Sequence, residues 1–151
     1  MDRQYLWSRL EHIASTVQGP WLVAGDFNLV LYPEDQFWGK RITQSLLRDF
    51  NACIDRCCLL DMKSIGSRFS WCNQQQGAKR ILARLDRSLI NSDWMQSFPA
   101  SVVEYINPSI SDHSPMLIQT EEEFARQKSR QQWISLGDSN LLEIFICFPR
   151  C

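Results

Sequence analysis

The chain is 151 residues long, with 44% hydrophobic and 22% charged residues and a formal net charge of −1. This balance suits one globular domain with a real core, and it excludes nucleic-acid binding driven by bulk positive charge. No apolar run approaches the ~18 residues of a membrane span, and the first residues lack a signal-peptide core, so an intracellular protein, nuclear or cytoplasmic, is expected.

Residues 3–17 place Leu6, Trp7, Leu10, Ile13 and Ala14 at three- and four-residue spacing. That spacing predicts an amphipathic helix, stopped by Gly19-Pro20. The apolar run from Trp21 to Gly25 reads as a buried strand. A polar loop studded with aromatic residues follows, from Asn28 to Thr43. Phe37 and Trp38 in it can touch a substrate, although covering the core is the commoner use of such rings. Thr43 or Ser45 is placed to cap a second helix, whose apolar face is Leu46, Leu47, Phe50, Ile54 and Cys57. Leu59–Met62 reads as a short strand.

Residues 68–72 alternate and predict a strand, Asn73–Gly77 a turn, and residues 80–90 its hairpin partner. Asn91-Ser92-Asp93 offers a cap for a short helix through Trp94, Met95 and Phe98. Val102–Ile106 and Pro115–Ile118 read as further strands, the second as the last. From Glu121 to Gln132 the chain is charged and helix-prone. Residues 141–151 are apolar and aromatic, with neither helical nor strand periodicity, and such a segment invites aggregation when exposed. The six cysteines, Cys53, Cys57, Cys58, Cys72, Cys147 and Cys151, show no zinc-site spacing and read as reduced, mostly buried small residues.

Chemistry concentrates at strand ends. Asp26 and Asn28, two residues apart just past a strand, point to one side. Asp can activate a water or hold a metal, and Asn can fix a nucleophile or a phosphate oxygen. Asx pairs also crowd turns for local hydrogen-bonding reasons, and both readings stand at this point. Asp86 lies between Arg84 and Arg87, and Asp112-His113 lies in a loop. Lys79, Arg80, Arg84 and Arg87 suit either DNA phosphates or a solvated hairpin edge.

In this order, Gly25-Asp26-Phe27-Asn28, Arg84-Leu85-Asp86-Arg87 and Ser111-Asp112-His113-Ser114-Pro115 resemble three motifs of the endonuclease/exonuclease/phosphatase superfamily. With Pro20-Trp21-Leu22-Val23-Ala24 and Phe69-Ser70-Trp71, the chain looks closest to the apurinic-type endonuclease domain of plant LINE-like (non-LTR) retrotransposons, over about residues 3–120. Residues 129–140 also resemble the segment that follows the endonuclease in such elements. The match stops after Asn140, as a frameshift would cause.

The resemblance implies an α/β fold: the C-terminal half of a four-layer α/β sandwich, a mixed, mostly antiparallel sheet with flanking helices. Residues 1–120 would form this partial domain, and 121–151 a helix-prone linker and degenerate tail. It implies hydrolysis of DNA phosphodiesters with Mg²⁺ or Mn²⁺. Asp26 would orient or deprotonate the attacking water, and Asn28 would hold that water or a phosphate oxygen. Asp112 would approach the metal. His113 would contact the scissile phosphate, with Asp86 fixing its tautomer and charge.

The family's N-terminal half, which carries an early Asn, a catalytic Tyr or His and the principal metal-binding Glu, has no match here. Metal affinity is therefore expected to be weak and activity small or absent. Strand 21–25 is expected to expose an unpaired edge open to self-association. The alternatives are a non-catalytic remnant or small binding protein, and a phosphoinositide or sphingolipid phosphodiesterase.

Overall fold

Trp7 stacks on Phe50 with ring centroids 5.1 Å apart, and Phe27 meets the same ring at 5.0 Å. These three rings join two helices to the end of a central strand. They stand at the centre of the computed structural model, which describes residues 3–39, 43–108, 111–120, 130–135 and 142–148. Helix α1 (Arg3–Thr16) buries Leu6, Trp7, Leu10 and Ile13, the stripe set by its periodicity. Helix α2 (Gln44–Arg56) packs beside it through Phe50, Cys53 and Ile54. Thr43 occupies the N-cap position of α2 but makes no side-chain cap bond. The helix ends in a Schellman turn, in which Leu59 N–H donates to Ile54 O and Cys58 N–H to Asp55 O (both 3.0 Å). Cys58 takes the left-handed conformation this turn requires (φ 52°).

Strand β1 (Trp21–Asp26) is buried on both faces, which is why it reads as a continuous apolar run. Trp21 and Val23 face the helices. Leu22 and Ala24 face a second core with Met62, Ile90, Trp94, Val103 and Tyr105. Short strands β2 (Gln36–Phe37), β3 (Leu60–Asp61), β4 (Ser64–Gly66), β5 (Trp71–Cys72) and β6 (Leu82–Ala83) follow. Then come β7 (Asp86–Ile90), helix α3 (Ser92–Ser97), β8 (Val102–Tyr105) and β9 (Met116–Gln119). Asn91 caps α3 by accepting the Trp94 N–H at 2.9 Å, as its sequence predicts. Strands β10 (Arg130–Ser135) and β11 (Leu142–Phe148) complete the described chain.

The strands form three sheets, ordered β10-β11-β1-β7-β3, β2-β6-β5 and β4-β8-β9. All pairings are antiparallel except β4 with β8. The result is the expected mixed α/β fold: helices α1 and α2 cover one face of the sheet around β1, and the sheet around β8 covers the other.

Several elements depart from the sequence reading. Residues 80–90 are not one hairpin strand. The chain leaves β6, turns at Arg84-Leu85 and enters another sheet as β7. Arg84 N–H is drawn to Asp35 O (2.8 Å), while Leu85 and Asp86 donate to Ser70 Oγ (3.0 Å each). Of residues 68–72 only Trp71-Cys72 is strand. Strand β9 is not the last, and residues 130–132, read as helix-prone, lie in β10. The apolar tail forms β11, which pairs along β1 from Trp21↔Ile146 to Gly25↔Leu142. With β7 on its other side, β1 has no open edge, so the expected unpaired edge at 21–25 is absent. Residues 121–129, also read as helix-prone, lie outside the described residues. No helix among the described residues is long and apolar enough to cross a membrane.

Candidate metal centre

The end of β1 turns through two unusual backbone conformations. Gly25 has φ 142°, a region open in practice to glycine alone, and Asn28 is left-handed (φ 50°), which Asn tolerates well. Between them, Asp26 is clamped by its neighbour. Its Oδ1 accepts the Asn28 main-chain N–H and its Oδ2 the Asn28 side-chain amide, both at 2.7 Å. The D-x-N pair is thus an Asx turn, and the same turn orients the carboxylate.

Asp26 pairs directly with Asp86 in the β1–β7 register. His113 arrives from the loop before β9, and its Nδ1 lies 3.0 Å from Asp86 Oδ2. Where an ionised Asp86 accepts this bond, Nδ1 is the donor and Nε2 is left for a metal or a phosphate oxygen. One ligand atom each from Asp26, Asp86 and His113 lies within 4.8 Å of the others. Burial pushes the Asp26 carboxyl above its ordinary value. The Asn28 main-chain bond pulls it back, the nearby Asp86 charge raises it, and His113 lowers it. Two carboxylates and an imidazole make a candidate cation site, and a divalent ion would offset the facing negative charges. This donor set is compatible with hard, oxygen-preferring divalent ions and with those that also accept imidazole.

Asp112 stands outside this cluster. Its Oδ2 accepts the Trp71 indole N–H at 3.1 Å, and its main-chain carbonyl accepts Cys72 N–H at 2.9 Å. These bonds, with the Trp71↔His113 bridge, tie the histidine loop to β5. Asn28 spends one amide N–H on Asp26, leaving its second N–H and its amide oxygen for a water.

Three supporting residues, Ser70, Tyr105 and Trp71, are not among the expected site residues. Ser70, almost fully buried, holds Asp86 through its hydroxyl, accepts Ser114 N–H at its carbonyl (2.7 Å) and donates to Ala83 O (3.0 Å). Tyr105 Oη donates to the Asp86 carbonyl at 2.9 Å. Trp71 anchors Asp112. The signal for Ser70 and Trp71 is their place in Phe69-Ser70-Trp71, one of the stretches that carry the resemblance.

Among the four basic residues, Arg87 is neither a phosphate ligand nor part of a solvated edge. It is fully buried, paired with Asp35 and, at 2.6 Å, with Asp61. Arg84 sits largely buried between Asp61 (3.5 Å) and the Tyr105 ring. Lys79 and Arg80 are exposed. The described cysteines, Cys53, Cys57, Cys58 and Cys72, are free thiols. Cys53 and Cys57 hydrogen-bond to one another, which pushes the Cys53 thiol up and the Cys57 thiol down.

The sequence matches no family model and no curated protein.

Proposed function

We propose that Asp26, Asp86 and His113 form the working part of a divalent-metal-dependent phosphodiesterase site acting on DNA, of the endonuclease/exonuclease/phosphatase type, with slow or no turnover in this chain. The observation that carries this reading is the convergence of two carboxylates and an imidazole, from three separate segments, within 4.8 Å. Mg²⁺ or Mn²⁺ bound by Asp26 and Asp86 would polarise a phosphoryl oxygen and lower the pKa of a water.

The chain's own groups have separate tasks. Asp26 is suited to orient or deprotonate an attacking water. Asn28 fixes that carboxylate through both oxygens. Asp86 orients His113 so that Nε2 can meet charge building on the phosphate. Asp112 holds the loop that carries His113, through Trp71, and is a positioning residue in this scheme. Slow turnover follows from the small ligand set: among the described residues no Glu joins the cluster.

Two measurements test the proposal. Millimolar Mn²⁺ or Mg²⁺ should raise the melting temperature of the wild type, and Asp26→Ala and Asp86→Ala should abolish the rise. Any plasmid nicking by the wild type should require the metal and vanish in Asp26→Ala and His113→Ala. No thermal shift and no nicking would leave a non-catalytic remnant or binding protein as the reading.

A further inference from the structure

Phe37 and Trp38 do not cover the core. Each is about half exposed, and their rings lie nearly parallel (15°) with centroids 5.3 Å apart. Consecutive residues in a strand point to opposite faces. Trp38 escapes that rule by taking a left-handed backbone (φ 64°), rare for a bulky residue. Its carbonyl is held by the Gln36 side-chain amide at 2.8 Å.

The stack extends along the surface. Phe37 meets Phe69 at 6.4 Å, and the Arg68 guanidinium lies 5.4 Å from the Phe69 centroid. Arg68 is fixed by donating to the Glu34 main-chain carbonyl at 3.2 Å. The four side chains form a ladder that runs from the exposed Trp38 to the exposed Arg68. Beyond the Phe37↔Leu82 pairing, the chain preceding β6 runs back beside this turn. A Cβ on Gly39 would meet Ile81 Cδ1 at 3.3 Å, so the exposed Arg80 and Lys79 lie next along that segment. The same small sheet reaches the metal centre. Strand β2 pairs with β6 and β6 with β5, where Trp71 bridges His113. Two strand spacings separate the aromatic edge from that bridge, roughly 10 Å.

From this geometry we infer that Phe37 and Trp38 are a stacking platform for an unpaired nucleobase of a single DNA strand, with Arg68, Arg80 and Lys79 facing the flanking phosphates. Aromatic rings interleaved with cations are how proteins hold unpaired strands, because every base has a π-face and every linkage a negative charge. A duplex keeps its bases stacked on each other and cannot use the platform. The inference deepens the phosphodiesterase reading by naming the strand conformation it would engage, but binding here requires neither metal nor turnover.

The test is fluorescence anisotropy of the full chain without metal. The probes are a labelled single-stranded DNA, the blunt duplex of the same sequence, and a strand of equal length built from abasic sites. The ordinary single strand should bind about tenfold tighter than either other probe, and Trp38→Ala should remove most of that advantage. Trp38→Phe should keep part of it. Equal binding of ordinary and abasic strands by the wild type would overturn the inference, even if the variants fail to fold. Equal binding of single strand and duplex would also overturn it. A base-dependent advantage that survives in a folded Trp38→Ala protein would place the platform elsewhere. The metal-induced thermal shift should be unchanged in Trp38→Ala, so loss of the shift and loss of strand binding report on different claims.

Discussion

The hydroxyl oxygen of Ser70 accepts the main-chain N–H of Asp86 at 3.0 Å. A residue with no useful charge thus sets where the central carboxylate of the site stands. The same oxygen accepts Leu85 N–H, so Ser70→Ala would strand two donors where the chain passes between sheets. An unsatisfied buried donor costs about 1–3 kcal/mol. Ser70→Ala should therefore lower stability in urea by about 2 kcal/mol or more, and it should shrink the Mn²⁺-induced thermal shift. Unchanged stability would mean that the backbone finds other acceptors.

The buried Arg87 supports a sharper contrast. Asp35 accepts its guanidinium together with Leu31 and Tyr32 N–H (3.2 and 2.8 Å), and Asp61 supplies the second carboxylate. Asp35→Ala would leave a buried cation half-compensated, a change that costs about 3–5 kcal/mol. The exposed Arg56–Glu11 pair is bonded at 2.7 Å, yet solvent screens it. Thermal denaturation should show Asp35→Ala unfolding far below the wild type and Arg56→Ala melting with it.

Acidity gives a third expectation. In the folded chain Asp26 lies above its ordinary value of 3.8, first because it is buried. The folded state holds this proton more tightly than the unfolded chain. That contribution to stability is present below the ordinary value and is lost as pH rises through the folded value. In metal-free buffer, Asp26→Asn should gain stability relative to the wild type as pH rises above the ordinary value of 3.8 and through the folded value. A flat difference across that range, by chemical denaturation, would show that the Asn28 bonds and His113 cancel the burial.

Cys58 offers a gain. It is exposed and holds a left-handed conformation at the end of α2, where glycine is the usual residue. Cys58→Gly should stabilise the chain by about 1 kcal/mol through relief of that backbone strain. A loss of stability would show that the thiol makes a contact worth more than the strain.

Local signals were readable wherever one element decided its own shape. Leu6, Leu10 and Ile13 announce α1, Asn91 announces the start of α3, and the run Trp21–Ala24 announces β1. The order of Asp26, Asp86 and His113 along the chain pointed to one site, but their meeting depends on register. Asp26 faces Asp86 only because β7 lies antiparallel to β1 at that offset, and no local pattern encodes an offset. Arg80–Ile90 misled for a related reason. Its alternation suits one strand, while two competing partners, Ser70 and Asp35, divide it between two sheets. Residues 142–148 are apolar at almost every position, which hides a strand period and also suits a strand inside a sheet. The resemblance puts Asp112 near the metal, and no local pattern announces that its Oδ2 accepts the indole N–H of Trp71, forty-one residues away.

The pairing of β1 with β11 has a consequence in time. Trp21 and its partner Ile146 are 125 residues apart, so β1 leaves the ribosome long before the strand that covers it exists. Until then, the hydrogen-bonding groups along one side of Trp21–Gly25 face whatever is nearby. Closing so wide a loop is slow. Synthesis should therefore pass through a stage in which β1 needs shelter, from a chaperone or from the ribosome itself.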